Sequence, residues 1–164
     1  MISSIKFKRR YLMSIWLIIS IPLVILFLVL MQNQANLSQS PGVLARLKIF
    51  LTTHQAEINR DPLLPELMSP HFNRTAAELF AQLPAVAEAQ GWQISASDKT
   101  QYRLQLVVSS ALFKFKDDLD IRVKAEGDGS YLLAQSRSRV GRADFAANSK
   151  HLQLLLKALE SADQ

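Results

Sequence analysis

Leu119-Asp120-Ile121-Arg122-Val123-Lys124-Ala125-Glu126-Gly127-Asp128-Gly129-Ser130-Tyr131 decides how this chain folds. Leu119, Ile121, Val123 and Ala125 alternate with Asp118, Asp120, Arg122 and Lys124, the period of a strand with one buried and one wet face. Glu126-Gly127-Asp128-Gly129 then supplies turn chemistry, and the pattern resumes from Tyr131 to Gln135, so the chain doubles back antiparallel.

Moving upstream, Tyr102, Leu104, Leu106 and Val108 share one face opposite Arg103, Gln105 and Val107. Before them Trp92, Ile94 and Ala96 share another, with Asp98-Lys99-Thr100 as the turn. Four strands joined by short links predict an α+β fold: a small domain with a four-stranded, mainly antiparallel sheet whose apolar face is covered by helices. Phe113 and Phe115, interleaved with Lys114 and Lys116, read as a strand extension with both rings in the core.

The helices flank these strands. Thr75 with Glu78 three residues on forms a capping box, followed by an apolar face of Leu79, Phe80, Leu83, Val86 and Ala87. Pro84 bends this helix and Gly91 ends it. At the other end, Leu152, Leu155, Leu156 and Leu159 form a stripe whose phase, extended backward, reaches Asn148 and Phe145 and turns Asn148 inward. Further upstream, Ser40-Pro41 reads as a helix start, and Val43, Leu47, Phe50, Leu51, His54 and Ile58 recur near helical spacing, with Arg46 and Lys48 on the polar face. Pro62 and Pro65 cannot continue that helix, so Asp61 to Phe72 is expected as an extended linker.

Leu12 to Met31 is uncharged and almost wholly apolar, directly behind Lys6, Lys8, Arg9 and Arg10. Roughly 20 helical residues match the roughly 30 Å hydrocarbon core of a bilayer, which predicts an uncleaved single N-terminal transmembrane helix, a signal anchor with Pro22 mid-span. The basic flank sets its N-terminus inside. The expected layout is a cytoplasmic basic N-terminus at 1–11, an anchor at 12–31, a juxtamembrane helix and linker at 32–72, and an α+β domain at 73–164. That domain is placed on the periplasmic or extracytoplasmic side of a bacterial inner membrane, in which the chain is integral and single-pass.

Charge and composition exclude several classes. Of 19 Lys and Arg, four precede the apolar run, which leaves 15 against 14 Asp and Glu. So even a balance is not the footprint of a nucleic-acid binder. With no cysteine, disulfides, thiol nucleophiles and thiolate metal sites are excluded. His54, His71 and His151 are scattered without metal-ligand spacing, and His151 reads as solvated. Asp117 and Asp118 are adjacent, so in a strand they face opposite sides. No nucleophile-elbow, Walker or dinucleotide glycine pattern is present. Accordingly no catalytic residue, metal or cofactor is assigned.

Unusual polarity gathers in Ser136-Arg137-Ser138-Arg139-Val140-Gly141-Arg142-Ala143-Asp144-Phe145, between the last strand and the last helix. Asp144 suits the cap of that helix, Gly141 a turn, an inward Asn148 the pairing of loop backbone groups, and Arg139 a bond to Asp117, Asp118 or loop carbonyls. The same residues also suggest a polar pocket in which Arg139, with Arg137 or Arg142, holds a carboxylate or phosphate. The candidate ligand-binding residues are Asp117, Asp118, Ser136, Arg137, Ser138, Arg139, Arg142, Asp144 and Asn148.

Phe115, the Asp117-Asp118 pair, Ser136, Ser138, Arg139, Gly141, Asp144 and Asn148 together resemble the pattern of the family known as domain of unknown function 1499. The resemblance covers about Asp98 to Leu159 well and the first domain helix more loosely. That family occurs in bacteria, often exported or membrane-anchored, and in plastid-bearing organisms. This chain departs from its pattern with Gln135 for Arg, Arg137 for Ala, Ala143 for Ser and Ala146 for Gly. Ser149 and His151 replace two basic residues, and the usual Cys-containing entry is missing. The expected function is a non-enzymatic binding or interaction module for an envelope component, either a lipid-like or small anionic ligand or a membrane-protein partner. The alternative is an accessory, hydrolase-like envelope enzyme using Ser136, Asp144 and His151.

Overall fold

In the computed structural model, the backbone of residues 2–110 and 114–161 is described, with side chains from residue 16 onward. Phe113, expected in the core, lies outside the described residues. Four helices and six strands follow in the order α1 (Ile2–Gln32), α2 (Val43–Thr52), β1 (Gln55–Ile58), β2 (His71–Phe72), α3 (Ala76–Ala89), β3 (Gln93–Asp98), β4 (Arg103–Ser109), β5 (Lys116–Glu126), β6 (Gly129–Ser138) and α4 (Ala147–Ser161).

All six strands form one antiparallel sheet, ordered β1-β6-β5-β4-β3, with β2 also on β6. The alternation around Leu119 acts as expected: Leu119, Ile121 and Val123 are buried, as are Leu104, Leu106 and Val108 opposite them. On the wet face Arg103 donates to the Asp120 carboxylate. Helix α3 lies over β3, β4 and β5, and α4 over β1 and β6, closing the core with Leu79, Leu83, Leu152, Leu155 and Leu159. The capping box at α3 is formed: the Glu78 amide donates to Thr75 Oγ1, and the Thr75 amide donates back to the Glu78 carboxylate.

The expected four-stranded sheet is corrected to six strands. The helix from Val43 stops at Thr52 instead of running on to Ile58, because Gln55 to Ile58 find partners along the free edge of β6, with Gln55 beside Arg137 and Ile58 beside Ala134. In the expected linker, Pro65–Leu67 makes a 3-10 turn and His71 and Phe72 pair with Tyr131 and Ser130, further along the same edge. At the opposite edge a bulge between Ile94 and Ala96 breaks the alternation of β3, leaving Ile94 exposed.

Arg46, expected on a polar face, is completely buried. Its guanidinium donates to the carbonyls of Asn36, Gln39 and Ser40 and forks onto Glu66 at 2.6 and 2.7 Å, which satisfies a buried cation.

Among the described residues no helix is long and apolar enough to cross a membrane. The single-pass anchor expected at 12–31 is corrected accordingly, and with it the integral membrane partner and the inner-membrane, periplasmic placement. The side chains at 1–11 and 12–15 in that layout lie outside the described residues. The last turns of α1 have another partner. Leu26 and Leu30 pack on the domain core, Asn33 Nδ2 donates to the Phe145 carbonyl at 2.9 Å, and Lys150 Nζ donates to the Gln32 carbonyl at 2.8 Å.

Candidate functional site

Strand alternation sorts the polar residues at the end of the sheet where β5 begins and β6 finishes. Asp117 pairs with Ser138, Asp118 with Arg137 and Leu119 with Ser136. Asp117 and Ser136 therefore turn inward and are buried, Ser138 is half-buried beside them, and Asp118 and Arg137 face solvent. Arg139 lies exposed, forked onto Asp118 at 2.6 to 3.0 Å, while Arg137 donates to Gln55. The arginines expected to hold an anion are thus engaged on the outer face, and Arg142 is exposed.

The inward residues form one network centred on Asn148, which has no exposed surface. It accepts from Ser136 Oγ at 2.6 Å. Its amide nitrogen lies within donating distance of the Asp144 carboxylate, the His54 carbonyl and Ser138 Oγ. Asp144 in turn accepts from the Ala146 and Asn148 amides at the start of α4. Two consecutive left-handed residues, Phe145 (φ 51°) and Ala146 (φ 70°), make that turn. The segment is pinned from behind, with the Asp144 and Phe145 amides donating to the Thr53 and Phe50 carbonyls. Burial raises the Asp144 carboxyl above its usual range against the pull of these hydrogen bonds.

Asp117 stands apart from that network. Its side chain is 2% exposed, and among the described residues neither carboxylate oxygen has a hydrogen-bond partner. Burial raises the carboxyl, outweighing the nearby Ser138 hydroxyl, which favours the charged form, and the charges of Asp144 and Asp118 raise it further. His151 Nδ1 lies 3.6 Å from Asp117 and is equally without a hydrogen bond. Expected in solvent, His151 is instead buried, with its ring edge-on to Trp92. Burial, with the charge of Lys150, pushes the imidazole down to about 4. At neutral pH it is uncharged and gives Asp117 no compensating cation.

Above these groups lies a cavity of about 410 Å³. Val29 and Asn33 of the α1 end form one wall; Phe115, Val140 and Phe145 form others; Asp117, Ser138 and Asp144 are its polar lining. Phe115, expected in the core, is 49% exposed because it belongs to this cavity's rim. A second cavity of about 360 Å³, lined by Phe50, Leu64 and Leu67, also touches Asp144, which stands between the two. Sequence reasoning named Asp117, Ser136, Ser138, Asp144 and Asn148 together, named His151 only for the alternative enzyme and placed it in solvent, and missed Val29 and Asn33. A signal for His151 existed, since it lies three residues beyond the inward Asn148 on the same helix.

A one-sheet α+β domain with two helices on its inner face, a buried acid, amide and hydroxyl network and a ligand-sized cavity beside it is the class of protein these features define. The sequence profile of the family described as "Protein of unknown function (DUF1499)" matches residues 41–159, and the chain belongs to that family. No curated protein matches it. The crystal structure of Ara h 8.0201 is similar over 66% of this chain and 96% of that one, with 15% identity and a TM-score of 0.48.

Proposed function

We propose that this chain is a non-enzymatic binding module that takes a small amphipathic molecule into the cavity at the end of the sheet. The observation that carries the reading is the cavity itself: about 410 Å³, within the common range for ligand sites of roughly 300–1,000 Å³, with mainly apolar walls and buried polar groups below. The left-handed pair Phe145 and Ala146 adds support, since backbone strain gathers where function requires a particular geometry.

A hydrolase built on Ser136, Asp144 and His151 fits less well. Such an enzyme needs the serine hydroxyl on the imidazole, whereas Ser136 donates to Asn148 and His151 stands beside Asp117.

The test is titration of the full chain with n-octanol, followed by NMR. Binding should shift signals of Val29, Phe115 and Phe145, and Ala143→Phe, which fills the cavity from its wall, should abolish the shifts while leaving the melting transition in place. Absence of binding, or equal binding by the filled variant, would overturn the proposal.

A further inference from the structure

Resting on the cavity as a binding site, we infer that its ligand carries a primary amine, received as the ammonium ion by Asp117. The carboxylate lines the cavity and its side chain is 2% exposed, yet neither oxygen accepts a hydrogen bond among the described residues. Native proteins satisfy nearly all buried polar atoms, and with only the Ser138 hydroxyl near enough to favour its charge this carboxylate keeps acceptor capacity that a donor entering the cavity fills. His151 does not fill that role: it stands 3.6 Å away, and its own facing nitrogen lacks a hydrogen bond.

The chemistry of the lining selects the head group. An anionic head would meet two buried carboxyls, Asp117 and Asp144, and the cationic Arg142 among the lining residues is exposed. A hydroxyl head offers one donor. An ammonium offers several donors and the opposite charge, and charge-assisted bonds of this kind are roughly twice as strong as neutral ones. Ser138, already close to Asp117, adds an acceptor oxygen in the same lining. The apolar body of the amine then lies along Val29, Phe115, Val140 and Phe145, so the class of ligand is an alkyl or aryl amine.

Calorimetric titration of the full chain near neutral pH with n-octylamine, n-octanol and n-octanoate separates the alternatives. Octylamine is expected to bind about tenfold or more tighter than octanol, with octanoate weakest. Asp117→Asn should remove the preference for the amine, measured as the ratio of octylamine to octanol affinity in the same variant, whereas Asp118→Asn, on the exposed face, should keep that ratio. If Asp117→Asn does not fold, the carboxyl ¹³C signal of Asp117 in the unaltered chain provides the readout, and it should move with octylamine and not with octanol. Equal binding of amine and alcohol, a tighter octanoate, or a stationary Asp117 signal would overturn the amine and leave the cavity reading standing. Binding by none of the three probes would overturn both.

Discussion

Ala146 is a residue whose backbone and identity disagree. At φ 70° an L side chain costs roughly 1–2 kcal/mol. Relief of that cost exceeds the added freedom glycine brings to the unfolded chain, so Ala146→Gly should stabilise the protein by about 0.5–1 kcal/mol, read from urea unfolding. His151 carries the second prediction at this scale. Its folded pKa is about 4 against an ordinary value near 6.5, so on acidification the unfolded chain takes up the proton first. The stability His151 contributes is complete above about pH 6.5 and is lost as pH falls toward 4. Asp117 and Asp144 act in the opposite sense: held above their usual range, they favour the folded state when protonated and lose that contribution as pH rises through their folded values. The melting temperature of His151→Gln should therefore fall less than that of the parent between pH 6.5 and 4, and an identical decline in both would count against this assignment.

Elements made by local pattern were legible; elements made by distant partners were not. The alternation in β4 and β5 and the capping box of α3 lie within a few residues of sequence, and each formed where expected. β1 was hidden because His54 and Ile58 happen to continue the helical spacing of α2, while the strand exists only through pairing with β6 some eighty residues later. Arg46 was hidden for a related reason: a cation reads as surface until its acceptors are known, and these come from the 36–40 turn and from Glu66. That arrangement fastens the turn before α2 to the segment after β1. Arg46→Ala strands Glu66 and several carbonyls at once and should cost about 3 kcal/mol, measured by chemical denaturation. A loss below about 1 kcal/mol would show that the fork adds little to stability.

At the scale of the whole molecule, the inward turn of Asn148 was legible from helical phase and the opposite facing of Asp117 and Asp118 from alternation, while the inward facing of Ser136 and Ser138 follows from their pairing with β5. The cavity was not legible, because its walls come from the end of α1, the start of β5 and the loop before α4. The apolar run at 12–31 was read from its length, its lack of charge and its basic flank, none of which reveals that Leu26 and Leu30 serve the domain core. Leu30→Ala should cost about 2–4 kcal/mol of the packing that seats α1 and weaken octanol binding several-fold. Circular dichroism should meanwhile retain the sheet, and unchanged octanol affinity would mean the wall holds its place without that contact.

Helix α1 is a rod about 45 Å long by its residue count, and its root is also the cavity wall. In mechanical terms the bonds from Asn33 to Phe145 and from Lys150 to Gln32 are its fulcrum, and Pro22, which removes a rung from the hydrogen-bond ladder, is its flexure. Pro22 leaves the ladder one donor short, so the rod is least stiff there. Val29 and Asn33, at the foot of the long arm, are also part of the chamber's wall, so arm and chamber share one structural member.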